Sequence, residues 1–163
     1  MKSPAELTEL FRQQGLKITP QRQCIFRALA GNEAHPTAES VYEQVRAEMA
    51  TISLRTVYQT LNDLAAMGEL VQLDLGTGSA RFDPNLDPHH HLVCDRCGEV
   101  HDIYADFTDV HVPEGNDHGY VVSATEIVFR GLCPTCQAEI DRGGDVVIDE
   151  QHRHARGGAD AHA

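Results

Sequence analysis

The chain has 163 residues, 41% of them hydrophobic, with five Phe, four Tyr and no Trp, enough for one ordinary domain or two small ones. Its apolar stretches are too short to span a bilayer, and Met1-Lys2-Ser3-Pro4-Ala5-Glu6 lacks the apolar stretch of a signal peptide; both lead us to expect a cytoplasmic protein rather than a membrane or secreted one. The net charge of −12 opposes nucleic-acid binding until it is divided along the chain: residues 1–83 hold 8 Lys/Arg against 10 Asp/Glu, residues 84–163 hold 5 against 15, and residues 1–30 hold 5 against 2.

In chain order, Leu7 to Gln14 reads as a short helix with Leu7, Leu10 and Phe11 on one face and Gly15 as its stop. Thr19 and Pro20 then look like the N-cap and first position of a second helix, whose apolar face runs through Ile25, Phe26 and Leu29 until Gly31-Asn32 breaks it. Cys24 lies among those apolar residues and reads as a core thiol. A third helix begins near Pro36-Thr37-Ala38-Glu39 and is expected to bury Val41, Tyr42 and Val45. Ser53 can cap a fourth, which continues through Val57, Leu61 and Leu64 to Gly68. Two β-like runs, Glu69–Leu75 and Ser79–Asp83, are joined by Gly76-Thr77-Gly78, a natural hairpin turn.

Short helices closed by a hairpin make a winged helix-turn-helix over residues 1–83, with Ser53–Met67 as recognition helix. Asn85-Leu86-Asp87-Pro88 reads as a linker, residues 84–88 in all. Beyond it, His91–Cys94, Val100–Tyr104, Tyr120–Val122 and Ile127–Gly131 are strand candidates for a small α/β domain over 89–142. The fold class expected is therefore α+β. The segment 143–163 is polar, rich in Gly, Ala and His, and without periodicity, so it should be disordered.

The strongest chemical signal is two cysteine pairs at two-residue spacing, Cys94/Cys97 and Cys133/Cys136. Together they supply the four thiolates of a closed tetrahedral zinc site, and the 35 residues between the pairs can form strands that bring them together. The competing readings are a thiol–disulfide pair or two unrelated free pairs. The run His89-His90-His91 adds harder ligands: on a strand, His89 and His91 share a face while His90 points away. With His35, Asp83 and Asp102 they could form a five-coordinate divalent site of three imidazoles and two carboxylates. For the DNA contact, Arg55, Thr56, Tyr58 and Gln59 near the start of the fourth helix have donors for base edges and phosphates, while Lys17 and Arg22 could grip the backbone or minor groove. Solvated helix faces carry the same residue types, as protein-interaction modules with winged helices do.

These residues resemble the ferric uptake regulator family. The resemblance rests on Gly15-x3-Thr19-x-Gln21-Arg22, His35-Pro36-Thr37-Ala38-Glu39-x2-Tyr42 and Ser53-Leu54-x-Thr56-Val57-Tyr58-x2-Leu61. It continues through Arg81-Phe82-Asp83, His89-His90-His91-Leu92-Val93-Cys94-x2-Cys97-Gly98 and Gly131-Leu132-Cys133-x2-Cys136, covering about residues 7–137. It implies a homodimeric, metal-dependent repressor that binds double-stranded operator DNA, AT-rich and palindromic, and that is not an enzyme. Carried over residue by residue, Cys94, Cys97, Cys133 and Cys136 match structural Zn²⁺ ligands. His35, Asp83, His89, His91 and Asp102 match a regulatory site for Fe²⁺ or Mn²⁺ between the two domains.

Tyr58 matches a base-contacting tyrosine and Lys17 a minor-groove lysine, while Gln59 stands where many members carry Arg. Pro88 and Thr125 occupy two positions of an additional metal site found in some members, leaving His90 and an acid such as Asp109. Aspartate at 83 and 102, where iron-uptake members carry Glu, resembles the peroxide-responsive branch. In that branch iron and peroxide oxidise the residues matching His35 and His89, the metal leaves and DNA is released. A family member sensing iron, zinc or nickel supply is the alternative.

Overall fold

The computed structural model describes residues 1–143; the expected disorder of the tail falls almost wholly outside them. Four helices open the chain: α1 Pro4–Gln13, α2 Pro20–Leu29, α3 Ala38–Glu48 and α4 Leu54–Ala66. Each has a local start signal. Thr19, Thr37 and Ser53 accept the N–H three residues on, which satisfies one of the donors a helix N-terminus leaves unpaired. The first helix starts at Pro4 rather than Leu7, because Ser3 and Glu6 form a reciprocal capping box ahead of the apolar periodicity.

The apolar faces converge on one core, with Leu7 and Phe11 of α1 meeting Ile25, Phe26 and Leu29 of α2, Val41 and Val45 of α3, and Val57, Leu61 and Leu64 of α4. The Phe11 and Phe26 rings meet edge to face at 4.9 Å. Tyr42, expected inside, is only half-buried and lies under the Arg46 guanidinium, 5.7 Å from ring centre. Cys24 is buried in this core, with Sγ 3.5 Å from the Glu48 carboxylate.

A hairpin follows, β1 Val71–Leu73 antiparallel to β2 Arg81–Asp83. Its second strand also touches the start of α3: Thr37 and Arg81 form a bridge, and Phe82 N–H donates to the Pro36 carbonyl at 3.0 Å. That stitch sets the loop before α3 beside the end of β2.

The second sheet has the order β4-β3-β5, from β3 His90–Cys94, β4 Val100–Ile103 and β5 Val128–Gly131. β3 and β4 are antiparallel; β3 and β5 are parallel, with the long connection between them that parallel pairing requires. Among the described residues, Leu73, Leu75, Val93 and Val100 form the one buried cluster here. The expected strand at Tyr120–Val122 does not form. Those side chains are 79%, 95% and 54% exposed and pair with nothing among the described residues, so β-branched composition alone had no partner to act on. A helix that the sequence reading did not anticipate, α5 Pro134–Asp141, follows Cys133 instead; it buries only Cys136, so it carries little of the apolar periodicity that marks a helix.

Candidate metal centres

The first cluster is assembled by the stitch between Pro36 and Phe82 and by the register of the second sheet. His35 precedes a proline yet has φ +48°, a left-handed conformation that costs about 1–3 kcal/mol in a non-glycine residue. Arg81 holds it there, with Nη1 donating to the His35 carbonyl at 3.0 Å. Across the sheet, β3 places His91 opposite Asp102; a one-residue slip would turn His91 to the other face. His89, two residues earlier, shares that face, and the His89 and His91 rings lie 4.6 Å apart. His90 turns away: its Nδ1 accepts from Ile127 N–H at 3.2 Å and its ring packs at a tilt against Phe107, centroids 5.0 Å apart.

His35, Asp83, His89, His91 and Asp102 each offer one ligand atom within 4.8 Å of all the others. His35 Nε2 is 2.8 Å from Asp102 Oδ1 and 3.5 Å from Asp83 Oδ2. Asp83 Oδ2 is 2.9 Å from His89 Nε2 and 3.7 Å from His91 Nε2, and the two histidine Nε2 atoms stand 3.0 Å apart. Short as these distances are, His35 Nε2, Asp83 Oδ2 and Asp102 Oδ1 are buried without a hydrogen bond of acceptable geometry. All three are among the five ligand atoms gathered within 4.8 Å of one another. An unsatisfied buried polar atom costs about 1–3 kcal/mol, so three together imply an occupant. A divalent cation about 2.0–2.3 Å from each donor fits the spacing, and the mixed nitrogen–oxygen set suits Fe²⁺ or Mn²⁺. Electrostatics agree. Burial pulls the His35 imidazole down, but the Asp83 and Asp102 carboxylates outweigh it and hold its pKa above the ordinary value. Burial raises the Asp83 carboxyl while His35 and the Asn85 N–H pull it below its usual range.

The outer faces of these side chains are fixed by residues that sequence reading did not single out. His89 Nδ1 donates to the Asp87 carbonyl at 2.7 Å, and His91 Nδ1 meets Glu126 at 3.1 Å, so both rings present Nε2 inward. Asp83 Oδ1 accepts from Asn85 N–H at 2.7 Å, and Asp102 Oδ2 accepts from the Tyr104 hydroxyl at 2.9 Å. Tyr104 was detectable in principle, since it follows Asp102 by two residues and so continues that face of the strand. Glu126 was not, being 35 residues from His91 in sequence.

The second cluster is built where β3 and β5 end. Cys94 pairs with Gly131 in the parallel register, which sets Cys133, the N-cap of α5, beside the first pair. The turn between Cys94 and Cys97 closes through Gly98 N–H to the Cys94 carbonyl at 2.9 Å, and Gly98 needs its φ of +71° there. Cys97 and Cys133 Sγ are 3.7 Å apart, close to the edge of about 3.8 Å of a tetrahedron with bonds of about 2.3 Å. All four cysteines are free thiols, and their sulfurs lie within 4.8 Å of one another. Burial raises Cys94, but the backbone N–H groups of Cys97, Cys133 and Arg96 prevail and bring it down to about 6. Burial and the three neighbouring sulfurs push Cys136 up to about 12. A cation shared by all four sulfurs would favour their thiolate forms, and Zn²⁺ fits the geometry and softness of the tetrad.

The candidate DNA-contacting residues divide. Lys17, Arg55 and Gln59 are exposed, Gln59 with its amide on Asp63 at 2.9 Å. Thr56 is half-buried in the Ser53 cap, and the exposed Tyr58 donates its hydroxyl to Glu39 at 2.6 Å. Arg22, read as a phosphate grip, is drawn inward: it pairs with Asp63 at 2.7 Å, donates to the Lys17 carbonyl at 3.0 Å and lies over the Phe11 ring. It is a strut between α2 and α4.

Arg81 carries a prediction. Arg81→Ala removes the clamp on the His35 carbonyl, and relaxation of the strained backbone should then lower divalent-metal affinity at the first cluster by about 10–100-fold, as loss of a supporting contact to a ligand does elsewhere. Mn²⁺ titration by calorimetry measures it, and wild-type affinity would show that the clamp does not position His35.

A sequence model described as the Ferric uptake regulator family matches residues 13–129. A peroxide-responsive repressor, PerR, of Staphylococcus aureus is 33% identical over 127 residues, covering 77% of this chain and 86% of the relative. Among solved structures, the ferric uptake regulator of Vibrio cholerae superposes with a TM-score of 0.64 at 26% identity, covering 78% of this chain and 99% of that one. The regulator of Pseudomonas aeruginosa, solved with manganese, gives 0.59 at 27%, covering 82% and 99%. The second cysteine pair lies beyond the matched family span.

Proposed function

The chain belongs to the ferric uptake regulator family, whose members are metal-responsive transcription regulators that bind operator DNA as dimers, and from that premise we propose that it is a repressor of peroxide-defence genes. The observation that carries the reading is the convergence of His35, Asp83, His89, His91 and Asp102, three of them with buried atoms left without hydrogen bonds. The use of aspartate at both 83 and 102, together with the 33% identity to a peroxide-responsive relative, favours this branch.

In this reading residues 1–83 read DNA, 84–88 are the hinge and 89–142 dimerise. His35 and Asp83 come from the first unit and His89, His91 and Asp102 from the second, so when they share one Fe²⁺ or Mn²⁺ they hold the two units in a single arrangement. Two α4 helices, one per protomer, are then spaced for successive major grooves of an AT-rich palindrome, with Arg55, Thr56, Tyr58 and Gln59 toward base edges and Lys17 toward the backbone or minor groove. The metal favours that arrangement only by its higher affinity for it. Cys94, Cys97, Cys133 and Cys136 hold a structural Zn²⁺ that takes no part in the response.

Bound Fe²⁺ supplies the reactivity toward peroxide that the protein's own groups lack. His35 and His89 are the ligands expected to gain an oxygen atom. An oxidised imidazole ligates poorly, so the hinge is released and DNA with it. Among the described residues no helix is long and apolar enough to cross a membrane. A regulator that binds operator DNA works where the DNA is, and on that ground we place the protein in the cytoplasm.

The test is operator release after stoichiometric peroxide, comparing Fe²⁺- and Mn²⁺-loaded protein, with peptide mass spectrometry over His35 and His89. Release with iron alone, with one added oxygen on either histidine, is expected. Continued binding with unmodified histidines sinks the peroxide reading and leaves a regulator of iron, zinc or nickel supply.

A further inference from the structure

The segment between the two sheets does more than connect them. Asp83 Oδ1 accepts from Asn85 N–H at 2.7 Å, and Asn85 Oδ1 accepts from Asp87 N–H at 3.1 Å. The second bond fixes which way the Asn85 amide points: with its oxygen on Asp87, its NH₂ must face the cluster. There Nδ2 is 3.1 Å from Asp102 Oδ2 and 2.6 Å from the Tyr104 oxygen, while the Tyr104 hydroxyl donates to the same Asp102 Oδ2 at 2.9 Å. Asn85, Tyr104 and Asp102 thus close a ring of three hydrogen bonds. A carboxylate oxygen has two lone-pair directions, and both on Oδ2 are engaged. Only Oδ1, buried and free of hydrogen bonds, turns toward His35. The Tyr104 ring covers the site from outside, 68% exposed and 5.8 Å from the His89 ring.

We propose that Asn85 and Tyr104 are positioning residues that restrict Asp102 to a single ligating oxygen, keeping the first cluster at five donors with one coordination position open. The consequence is chemical. An aspartate free to swing can chelate through both oxygens, which fills the open position and satisfies a cation that then has no place for an incoming peroxide. The hydrogen-bonded ring prevents this at low cost, since Asn85 is already held by Asp87 and the Tyr104 ring lies beside that of His89. Because Asn85 also contributes its N–H to Asp83, one residue of the linker orders carboxylates on both sides of it. This inference rests on reading the five side chains as a metal site.

The experiment uses Co²⁺, whose visible bands weaken several-fold when five-coordination becomes six-coordination. Full-length protein with the cysteine cluster filled by zinc is titrated with Co²⁺, comparing wild type, Asn85→Ala/Tyr104→Phe and His35→Ala. Melting of the Co²⁺-free forms serves as a folding control. Wild type should give intense five-coordinate bands that His35→Ala abolishes. The double variant should bind Co²⁺ with bands several-fold weaker and, loaded with Fe²⁺, should release operator more slowly after peroxide. Wild-type bands in the double variant overturn the proposal while leaving the metal site intact. A double variant that melts normally yet binds no Co²⁺ also overturns it, because the pair would then assemble the site rather than limit its donors. If wild type itself shows no bands dependent on His35, the reading of the cluster as a metal site fails, and the proposal with it.

Discussion

Cys136→Ser is expected to leave the protein without its zinc and with the second sheet unfolded. The buried cluster beneath that sheet is Leu73, Leu75, Val93 and Val100 alone. Four buried side chains, at about 1.5–3 kcal/mol each, are a small core against the conformational entropy of ordering the strands and loops around them. The hydrogen bonds of three short strands contribute modestly beside that. A structural zinc contributes its binding free energy directly to folding, because the site it occupies does not exist in the unfolded chain. Cys136 is the informative ligand: it is the one buried residue of α5, and it is the thiol that its neighbours push furthest from ionisation, so it depends most on a cation. The check is the zinc-to-protein ratio by atomic emission, with the thermal transition followed alongside. Stoichiometric zinc and an unchanged transition in the variant would remove the structural role. Cys24→Ser provides the contrast, because that thiol sits in the helical core and should leave zinc content untouched.

Asp83→Ala should largely uncouple operator binding from metal. Asp83 Oδ2 lies at the centre, within 3.7 Å of the Nε2 of all three histidines. Removing it leaves three imidazoles and the single carboxylate of Asp102, halving the negative charge available to a divalent cation. Loss of a supporting residue alone costs about 10–100-fold in metal affinity, so loss of a direct ligand should cost more than 100-fold for Mn²⁺. Asp83 is also the residue that ends β2, and without it only His35 would connect the helical half to the second sheet through the cation. Metal would then shift the two arrangements of the hinge far less, because the shift is only as large as the difference in its affinity for them. Fluorescence anisotropy of an operator fragment across a Mn²⁺ titration reads this directly. A variant whose DNA binding still rises steeply with Mn²⁺ would place the switch elsewhere.

Where sequence reading and structure part company, distance along the chain explains the difference. Thr19, Thr37 and Ser53 announce their helices because a cap acts on a donor three residues away. The apolar periodicity of α1 to α4 similarly reports a face within one element. Tyr120–Val122 had the right residue types for a strand, but a strand needs a neighbour, and none stands there. α5 had the reverse problem: with one buried residue, it is held by its position after Cys133 rather than by an amphipathic face. Arg22 looked free for phosphate because Asp63, its partner, lies 41 residues away.

The site divides along the same line. The residue types alone, two thiol pairs and a set of histidines and aspartates, determined which metals this protein can hold and in which two groups, because ligand chemistry belongs to the side chain. The tertiary structure decided what no spacing contains: that the bridge between Thr37 and Arg81 sets His35 beside Asp83, that the register of β3 on β4 turns His91 toward Asp102, and that Asn85, Tyr104 and Glu126 hold the outer faces of those ligands. Coordination number and metal response depend on orientations within tenths of an ångström, and these are set by hydrogen bonds between residues that only folding makes neighbours.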